Sequence, residues 1–356
     1  MVLQVNGSVQ SNNKLKYFSK NLISWHKNNG RHDLPWQINI NPYRVWISEV
    51  MLQQTQVKTV LSYYKKFLVK YPSIKELSES GLEDILESWA GLGFYRRAEN
   101  IYKSSQIIKN KHKYIFPQEY RDIIDLPGIG RSTAGAILSI SYNKKYPILD
   151  GNVKRVIKRY FAVRGESNTE KNLWDISESL LPNKNNNIYT QAIMDLGAMI
   201  CVKSNPLCSL CPVNKNCKSF ILNLTNIIPE KKVAIQKKEM KLYFLLIQNF
   251  KNKNLILMKK NLKTGIWANL WNLPSFSSVK SYEKFIKDSK IPLHISHYDN
   301  IKHNLSHIKM NITILKVKLP EDFHYENYSW KNIYDSIACP KPVIMVIMKL
   351  TKELDL

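Results

Sequence analysis

The 356-residue chain is long enough for two domains, and its 53 lysines and arginines against 28 aspartates and glutamates leave a formal net charge of +25 spread along its length. That excess favours a polyanionic partner and fast electrostatic encounter. No apolar run is long enough to span a membrane, residues 1–7 lack the basic-then-apolar order of a signal peptide, and four of the five cysteines crowd into one 17-residue window rather than forming a disulfide framework, so a soluble cytoplasmic protein is expected.

Apolar spacing predicts a helix over 15–27, carried by Leu15, Phe18, Leu22, Ile23 and Trp25. Leu34, Pro35, Trp36 and Gln37 break it, and Pro42 fits the first turn of a second helix over 43–55. On that helix Glu49 and Gln53 are four apart and share a face. Glu49 stands among Val45, Trp46, Ile47, Val50, Met51 and Leu52; apolar company raises a carboxyl pKa and lets the group serve as an acid. A solvated glutamate on the polar stripe of an amphipathic helix is the other reading of the same residues. Further helical patterns cover 57–70, 82–89, 95–109 and 122–126. Between two of them, Gly91, Leu92, Gly93, Phe94, Tyr95, Arg96 and Arg97 combine flexible backbone, an apolar wedge, aromatics and paired arginines, suited to a strand whose bases must be unstacked. A helix C-cap followed by a core aromatic would look much the same.

The stretch 125–155 opens with Leu126, Pro127, Gly128, Ile129 and Gly130. A Pro-Gly-x-Gly turn lets the backbone pass close to another body, because glycine has no Cβ. Ser132 and Thr133 open the next helix, so a row of amide N–H groups at its N-terminus forms an anion site, for which a DNA phosphate is the candidate. Asp150 begins the helical pattern over 152–157, where it could present a carboxylate to the same nucleotide or act as an N-cap. Helical patterns over 172–181 and 190–201 follow, and no strand alternation precedes Lys241, so the first two-thirds of the chain reads as all-α. Cys201, Cys208, Cys211 and Cys217 come next, spaced x6, x2 and x5. Four thiolates so close need a cation, and zinc or an iron–sulfur cluster would serve. Zinc sites tend to use two Cys-x2-Cys knuckles and only one is present, so the spacing leans toward a cluster without settling it. Lys203, Lys215 and Lys218 surround the cysteines and could bind phosphate.

Periodicity fades over 220–240, where Pro229, Glu230, Lys231 and Lys232 mark a polar connector. Strands are expected over 242–248 and 254–258, joined by a turn at Asn252 and Lys253, and again over 310–317. With helices over 281–287 and 341–350 they make an α+β domain. His303, Asn304, Leu305, Ser306 and His307 read as a loop with Ser306 as a hydrogen-bonding tip. Cys339 suggests nothing beyond a core thiol.

Taken together these motifs resemble the helix-hairpin-helix DNA glycosylases, and specifically the MutY family of adenine glycosylases, over nearly the whole chain. The resemblance is carried in order by Leu34 to Trp36, Ser48 to Gln56, Gly91 to Gly93, the hairpin, Pro147 to Arg155, Met194 to Ala198 and the cysteine spacing. It implies a mainly α helix-hairpin-helix glycosylase domain over 1–219 with an iron–sulfur loop at 201–217, a connector over 220–239 and a MutT-like domain over 240–356. It implies one 4Fe-4S cluster on the four cysteines. The implied activity is monofunctional base excision repair: hydrolysis of the N-glycosidic bond of adenine mispaired with 8-oxoguanine or guanine in double-stranded DNA, by a nucleoid-associated monomer with no membrane partner. Protein partners are not implied.

In that family's mechanism Glu49 is the general acid that protonates a flipped adenine, and an ionised Asp150, with Asn152 beside it, stabilises the oxocarbenium-like sugar. Trp36, Gln37 and Gln191 match positions lining the adenine pocket; Gln53, Leu92 and Phe94 match the wedge, and Gln54 and Thr55 contacts to the opposite purine. Gly128, Gly130 and Lys154 fall to DNA binding, Ser306 and His307 to 8-oxoguanine recognition. The MutT-like domain is implied as a reader only, since the stretch 275–283 holds the single acid Glu283 and cannot bind magnesium. Three departures stand out. Phe94 replaces Tyr and Leu305 replaces Phe; Ser132, counted among the catalytic positions, stands where a related endonuclease has a catalytic lysine. Without an amine there a Schiff-base lyase step is disfavoured, although Lys154 is near in sequence and could trap the abasic sugar.

Overall fold

The computed structural model describes residues 8–165, 169–230, 236–289, 295–319 and 326–355; the expectations for residues 1–7 and for 231–235 of the connector lie outside them. The chain forms two compact units. One comprises Met1–Glu79 with Asn100–Lys232, the other Ser80–Glu99 with Val233–Leu356. The segment 80–99, expected within a glycosylase domain running through 219, thus groups with the C-terminal part. No helix among the described residues is long and apolar enough to cross a membrane.

The first unit is helical. It begins with α1 (Ser8–Asn29), a 3-10 turn at Pro35–Gln37, α2 (Pro42–Leu52), α3 (Val57–Lys70) and the short α4 (Ile74–Glu79). After α5 (Leu82–Ser88), in the second unit, α6 (Arg96–His112) leads back to α7 (Tyr120–Ile124), α8 (Arg131–Tyr142), α9 (Gly151–Phe161), α10 (Thr169–Ser179), α11 (Asn186–Asp195) and α12 (Lys218–Ile221). Seven of the eleven residues of α2 are buried, so it is apolar nearly all round, the pattern of a helix inside a bundle rather than on its surface. Asn41 caps it by accepting from the Arg44 amide, with Pro42 in the first turn. It ends three residues before the expected 55. Gln53 leaves the helical region at ψ 112° and Gln54 is left-handed at φ 56°, which ends the helix there. The segment 147–150 runs close against α8, because a Cβ on Gly135 would lie 2.3 Å from the Pro147 carbonyl oxygen.

The second unit is built on a mixed sheet of β1 (Lys238–Asn249), β2 (Leu255–Lys260), β3 (Trp271–Asn272), β4 (Ser275–Phe276), β5 (Ser296–Asn304), β6 (Ile308–Leu319) and β7 (Tyr328–Asn332). The order is β3-β2-β1-β6-β5, with β4 on β1 and β7 on β2. Only β1 and β6 run parallel, in register from Lys238 opposite Ile308 to Asn249 opposite Leu319. Phe244, Leu245, Leu246 and Ile247 are all fully buried, as a central strand covered on both faces requires. On one face Val343, Val346 and Leu350 of α14 (Lys341–Leu354) pack against Phe244, Leu246 and Met258; on the other, Phe285 and Ile286 of α13 (Val279–Asp288) pack against Leu245 and Ile247. Each such side chain contributes about 1.5–3 kcal/mol of transfer free energy.

Candidate active site

Glu49 lies in the third turn of α2 and lines a cavity of about 60 Å3 together with Trp36, Gln37, Gln191, Arg31 and Met194. At roughly 10–15 Å3 per water on this measure, the space holds four to six waters. Trp36 is fixed edge-on against Tyr64, with ring centroids 5.4 Å apart. Gln37 Nε2 donates to Gln191 Oε1 at 3.0 Å, while the buried Gln37 Oε1 has no hydrogen-bond partner among the described residues. A buried acceptor left bare is costly unless something fills the cavity and donates to it. Arg31 is braced by Asp195, which accepts from the Arg31 amide and from its Nε, both at 2.8 Å, and pairs with His26 Nε2 at 3.2 Å. Burial alone would raise the Asp195 pKa; the hydrogen bonds from His26 and Arg31 outweigh it and hold the carboxyl low.

Burial pushes the Glu49 carboxyl up to about 8, and the negative charge of Asp150 adds to the rise. By surface exposure Glu49 is half-buried, in the cavity wall. Asp150 stands at the N-cap of α9, its Oδ1 accepting from the Val153 amide at 2.7 Å. Burial raises its pKa too, but the amides of Val153 and Asn152 and the charge of Arg155 work against the rise. Burial thus raises both carboxyls, and only Asp150 has a helix N-terminus to offset the rise. Ser132, expected to be catalytic, uses its hydroxyl to accept from the Leu149 amide at 3.0 Å, and so fixes the main chain leading into Asp150.

The turn between α7 and α8 is closed by Ile129 N donating to Leu126 O at 3.1 Å, with Gly128 at φ 80°. A side chain there would bring Cβ within 2.6 Å of Asn100 Nδ2. Gly130 caps α8 without a side chain, and the space where its Cβ would stand is open, so a small anion can approach the first-turn amides. Gln53 Nε2 donates to Thr133 Oγ1 at 3.4 Å, and Thr55 Oγ1 to Gln53 O at the same distance. Lys154, on α9, pairs at 2.7 Å with the exposed Glu170.

Sequence reasoning missed the two arginines that follow Asp150 on α9. Arg155 donates to Asn152 Oδ1 at 2.9 Å, to the Gly197 carbonyl at 2.6 Å and to the Cys201 carbonyl at 2.7 Å. It ties the start of α9 to the π turn at Leu196–Ile200 and to the first cysteine. Arg159, buried one turn on, donates to the carbonyls of Ile228, Val202 and Lys203 at 2.7, 2.6 and 3.0 Å and reaches Cys201 Sγ at 3.5 Å. The signal available was their spacing of four, which puts both on one helix face. Cys208 and Cys217 flank two 3-10 turns, and Cys217 Sγ donates to the Arg159 carbonyl at 3.5 Å. Burial pushes the Cys211 thiol up to about 12, with the other three cysteines adding to the rise. Among the described residues no three His, Cys, Asp or Glu side chains are drawn tightly enough to hold one metal ion.

In the second unit the loop after α5 carries Gly91 at φ 91°, Gly93 at 78° and Phe94 at 49°. A non-glycine residue in the left-handed region is strained and persists only where its surroundings impose it. Here Arg97 donates to the Gly93 and Phe94 carbonyls at 3.1 and 3.4 Å, and Trp89 Nε1 to the Gly93 carbonyl at 3.1 Å. Of the three expected wedge residues, Phe94 is 46% exposed and Gln53 half-buried, whereas Leu92 is buried. Ser306 and His307 are exposed in the tight turn between β5 and β6, closed by Leu305 N donating to Ile308 O at 2.8 Å. Leu305 packs onto the sheet core beneath them.

Residues 47–179 match a family model described as HhH-GPD superfamily base excision DNA repair protein. Over 347 residues the chain is 42% identical to a protein of Buchnera aphidicola subsp. Acyrthosiphon pisum named adenine DNA glycosylase, covering 95% of this chain and 98% of that one. A protein of the same name from Buchnera aphidicola subsp. Baizongia pistaciae is 42% identical over 345 residues, covering 94% and 97%. Among solved structures, a thermostable thymine-DNA glycosylase superposes with a TM-score of 0.56 at 29% identity, over 60% of this chain and 99% of that one.

Proposed function

The chain belongs to the adenine DNA glycosylase family, and from that premise we propose that it hydrolyses the N-glycosidic bond of adenine mispaired with 8-oxoguanine or guanine in double-stranded DNA. The observation that carries this reading is Glu49, a carboxyl raised to about 8 by burial in the wall of a cavity that Trp36, Gln37 and Gln191 also line. Such an acid is protonated at neutral pH and can give its proton to a ring nitrogen of an adenine swung out of the duplex. Gln37 Oε1, bare in the same cavity, suits the exocyclic amine. As the base leaves, the sugar becomes cationic, and Asp150 stabilises it once ionised, the α9 amides and Arg155 offsetting part of the rise that burial imposes on its carboxyl. The open N-terminus of α8 at Gly130 grips a backbone phosphate and holds the nucleotide in reach.

Ser132 offers a hydroxyl engaged with main chain where a lyase would need an amine, which supports a monofunctional enzyme. Lys154 is paired with Glu170 and is given no step. Cys201, Cys208, Cys211 and Cys217 would hold a 4Fe-4S cluster. The donor set fits, because four cysteine sulfurs lie within one 17-residue loop beside the Arg159 guanidinium, a thiolate set that iron–sulfur clusters take. When bound, the cluster supplies a fixed charge and a cross-link for the 201–217 loop. Ser306, with His307, presents a hydrogen-bonding group suited to the 8-oxoguanine edge, and Phe94 a ring suited to filling the vacated stack. The protein would act at the nucleoid as a monomer.

Single-turnover base release from duplexes holding adenine opposite 8-oxoguanine, adenine opposite guanine and thymine glycol opposite adenine tests the reading at one stated salt concentration. Adenine release, fastest opposite 8-oxoguanine, is the expected result. Release confined to thymine glycol would overturn it.

A further inference from the structure

The loop bearing Phe94 is tied to the sheet unit from both sides. On the near side Glu83 of α5 accepts from Trp271 Nε1 at 2.6 Å and pairs with Lys260 Nζ at 2.8 Å. Those two bonds hold its carboxyl below the usual range. Lys331 lies over the Trp271 ring, 4.0 Å from its centroid, so the indole is clamped between a cation and a carboxylate. On the far side Glu99 Oε1 accepts from Asn269 Nδ2 at 2.9 Å. Asn269 and Trp267 both sit at positive φ, 59° and 58°, so the segment that presents the amide is shaped against backbone preference. Between these anchors the Tyr95 hydroxyl donates to the Cys339 carbonyl at 2.8 Å, just before α14, and accepts from the Gly91 amide at 3.0 Å. One oxygen therefore closes the loop at its base and fastens it to the sheet unit.

From these contacts we infer that Glu83 and Tyr95 are positioning residues that make the Phe94 loop part of the same body as the Ser306 turn, so that contact of Ser306 with the opposite base and seating of Phe94 in the stack are one event. The inference rests on the proposed roles of Phe94 and Ser306. Neither Glu83 nor Tyr95 touches DNA in it. Opposite guanine, Ser306 has no oxidised edge to read and the tie has little to transmit.

Tyr95→Phe keeps the ring and removes the bridging oxygen; Glu83→Gln keeps the shape and removes the charge. Hydrogen exchange of amides 89–95 should quicken in both variants while amides of α8 keep their protection. Single-turnover release opposite 8-oxoguanine should fall roughly tenfold, the scale of one lost hydrogen bond, with release opposite guanine nearly unchanged. Unchanged protection of the loop overturns the tie. Faster exchange with an unaltered ratio of the two rates overturns the transmission. A wild type with no preference for 8-oxoguanine fails the role of Ser306 itself, and with it the transmission, whereas exchange still reports the tie independently.

Discussion

Proton supply from Glu49 should govern base release, and burial sets the pH at which it fails. With its carboxyl at about 8, roughly 90% of the molecules carry the proton at pH 7; at the ordinary value of 4.5 only about 0.3% would, so burial raises the acid form roughly 300-fold. The sign is that of a raised acid: the proton is fully present well below 8 and is lost as pH rises through it. Single-turnover release from an adenine:8-oxoguanine duplex should therefore hold level to about pH 7.5 and drop roughly tenfold by pH 9. Single turnover is needed so that product release does not mask the limb. Folding stability moves the same way, because Glu49 favours the folded state at low pH and loses that contribution toward 8, so circular dichroism at pH 9 must separate the two effects. Leu52→Asn, at a residue lining the cavity, lets water toward the carboxyl and should move the limb down by about one pH unit. A rate that falls steadily, about tenfold per pH unit from near pH 5 upward as an ordinary carboxyl ionises, with no level region up to 7.5, would refute the reasoning.

Arg155→Gln should lose the ties to Asn152, Gly197 and Cys201 together, slowing base release at least roughly tenfold and loosening the cysteine loop, read as faster loss of iron on incubation with a chelator. In Gly128→Ala a positive φ and a Cβ 2.6 Å from Asn100 Nδ2 should cost about 1–3 kcal/mol in thermal unfolding and weaken duplex binding, leaving the adenine cavity intact. Cys208→Ser should abolish iron content and visible absorbance and lower the melting temperature; a variant that melts like the parent would contradict a structural cluster.

Much of the first unit was legible because its signals are local. The apolar run of α2, the Pro-Gly-x-Gly turn and the cysteine spacing each declare themselves within a few residues. Of the two readings of Asp150 the structure shows the N-cap of α9, and the charge of Asp150 also raises the Glu49 carboxyl. The end of α2 was not legible, since residues 53–55 suit a helix, which stops where Gln53 turns to ψ 112° and Gln54 to the left-handed region. Nor were β3, β4, β5 and β7, which are two residues long, polar, or at an edge, and owe their form to pairing with β1, β2 and β6. Arg155 escaped notice because its partners Gly197 and Cys201 lie 42 and 46 residues away. The grouping of 80–99 with the sheet unit escaped for the same reason: Glu83 meets Trp271 across 188 residues.

The central claim is that Glu49 delivers the proton that releases adenine. Its most direct test is Glu49→Gln in single-turnover release from an adenine:8-oxoguanine duplex, with duplex affinity measured in parallel. Gln keeps the size and hydrogen bonding of the side chain but has no proton to give, so release should fall by roughly 10²–10⁴-fold while binding stays within a few-fold of wild type. A Glu49→Gln protein that releases adenine at the wild-type rate would contradict the account.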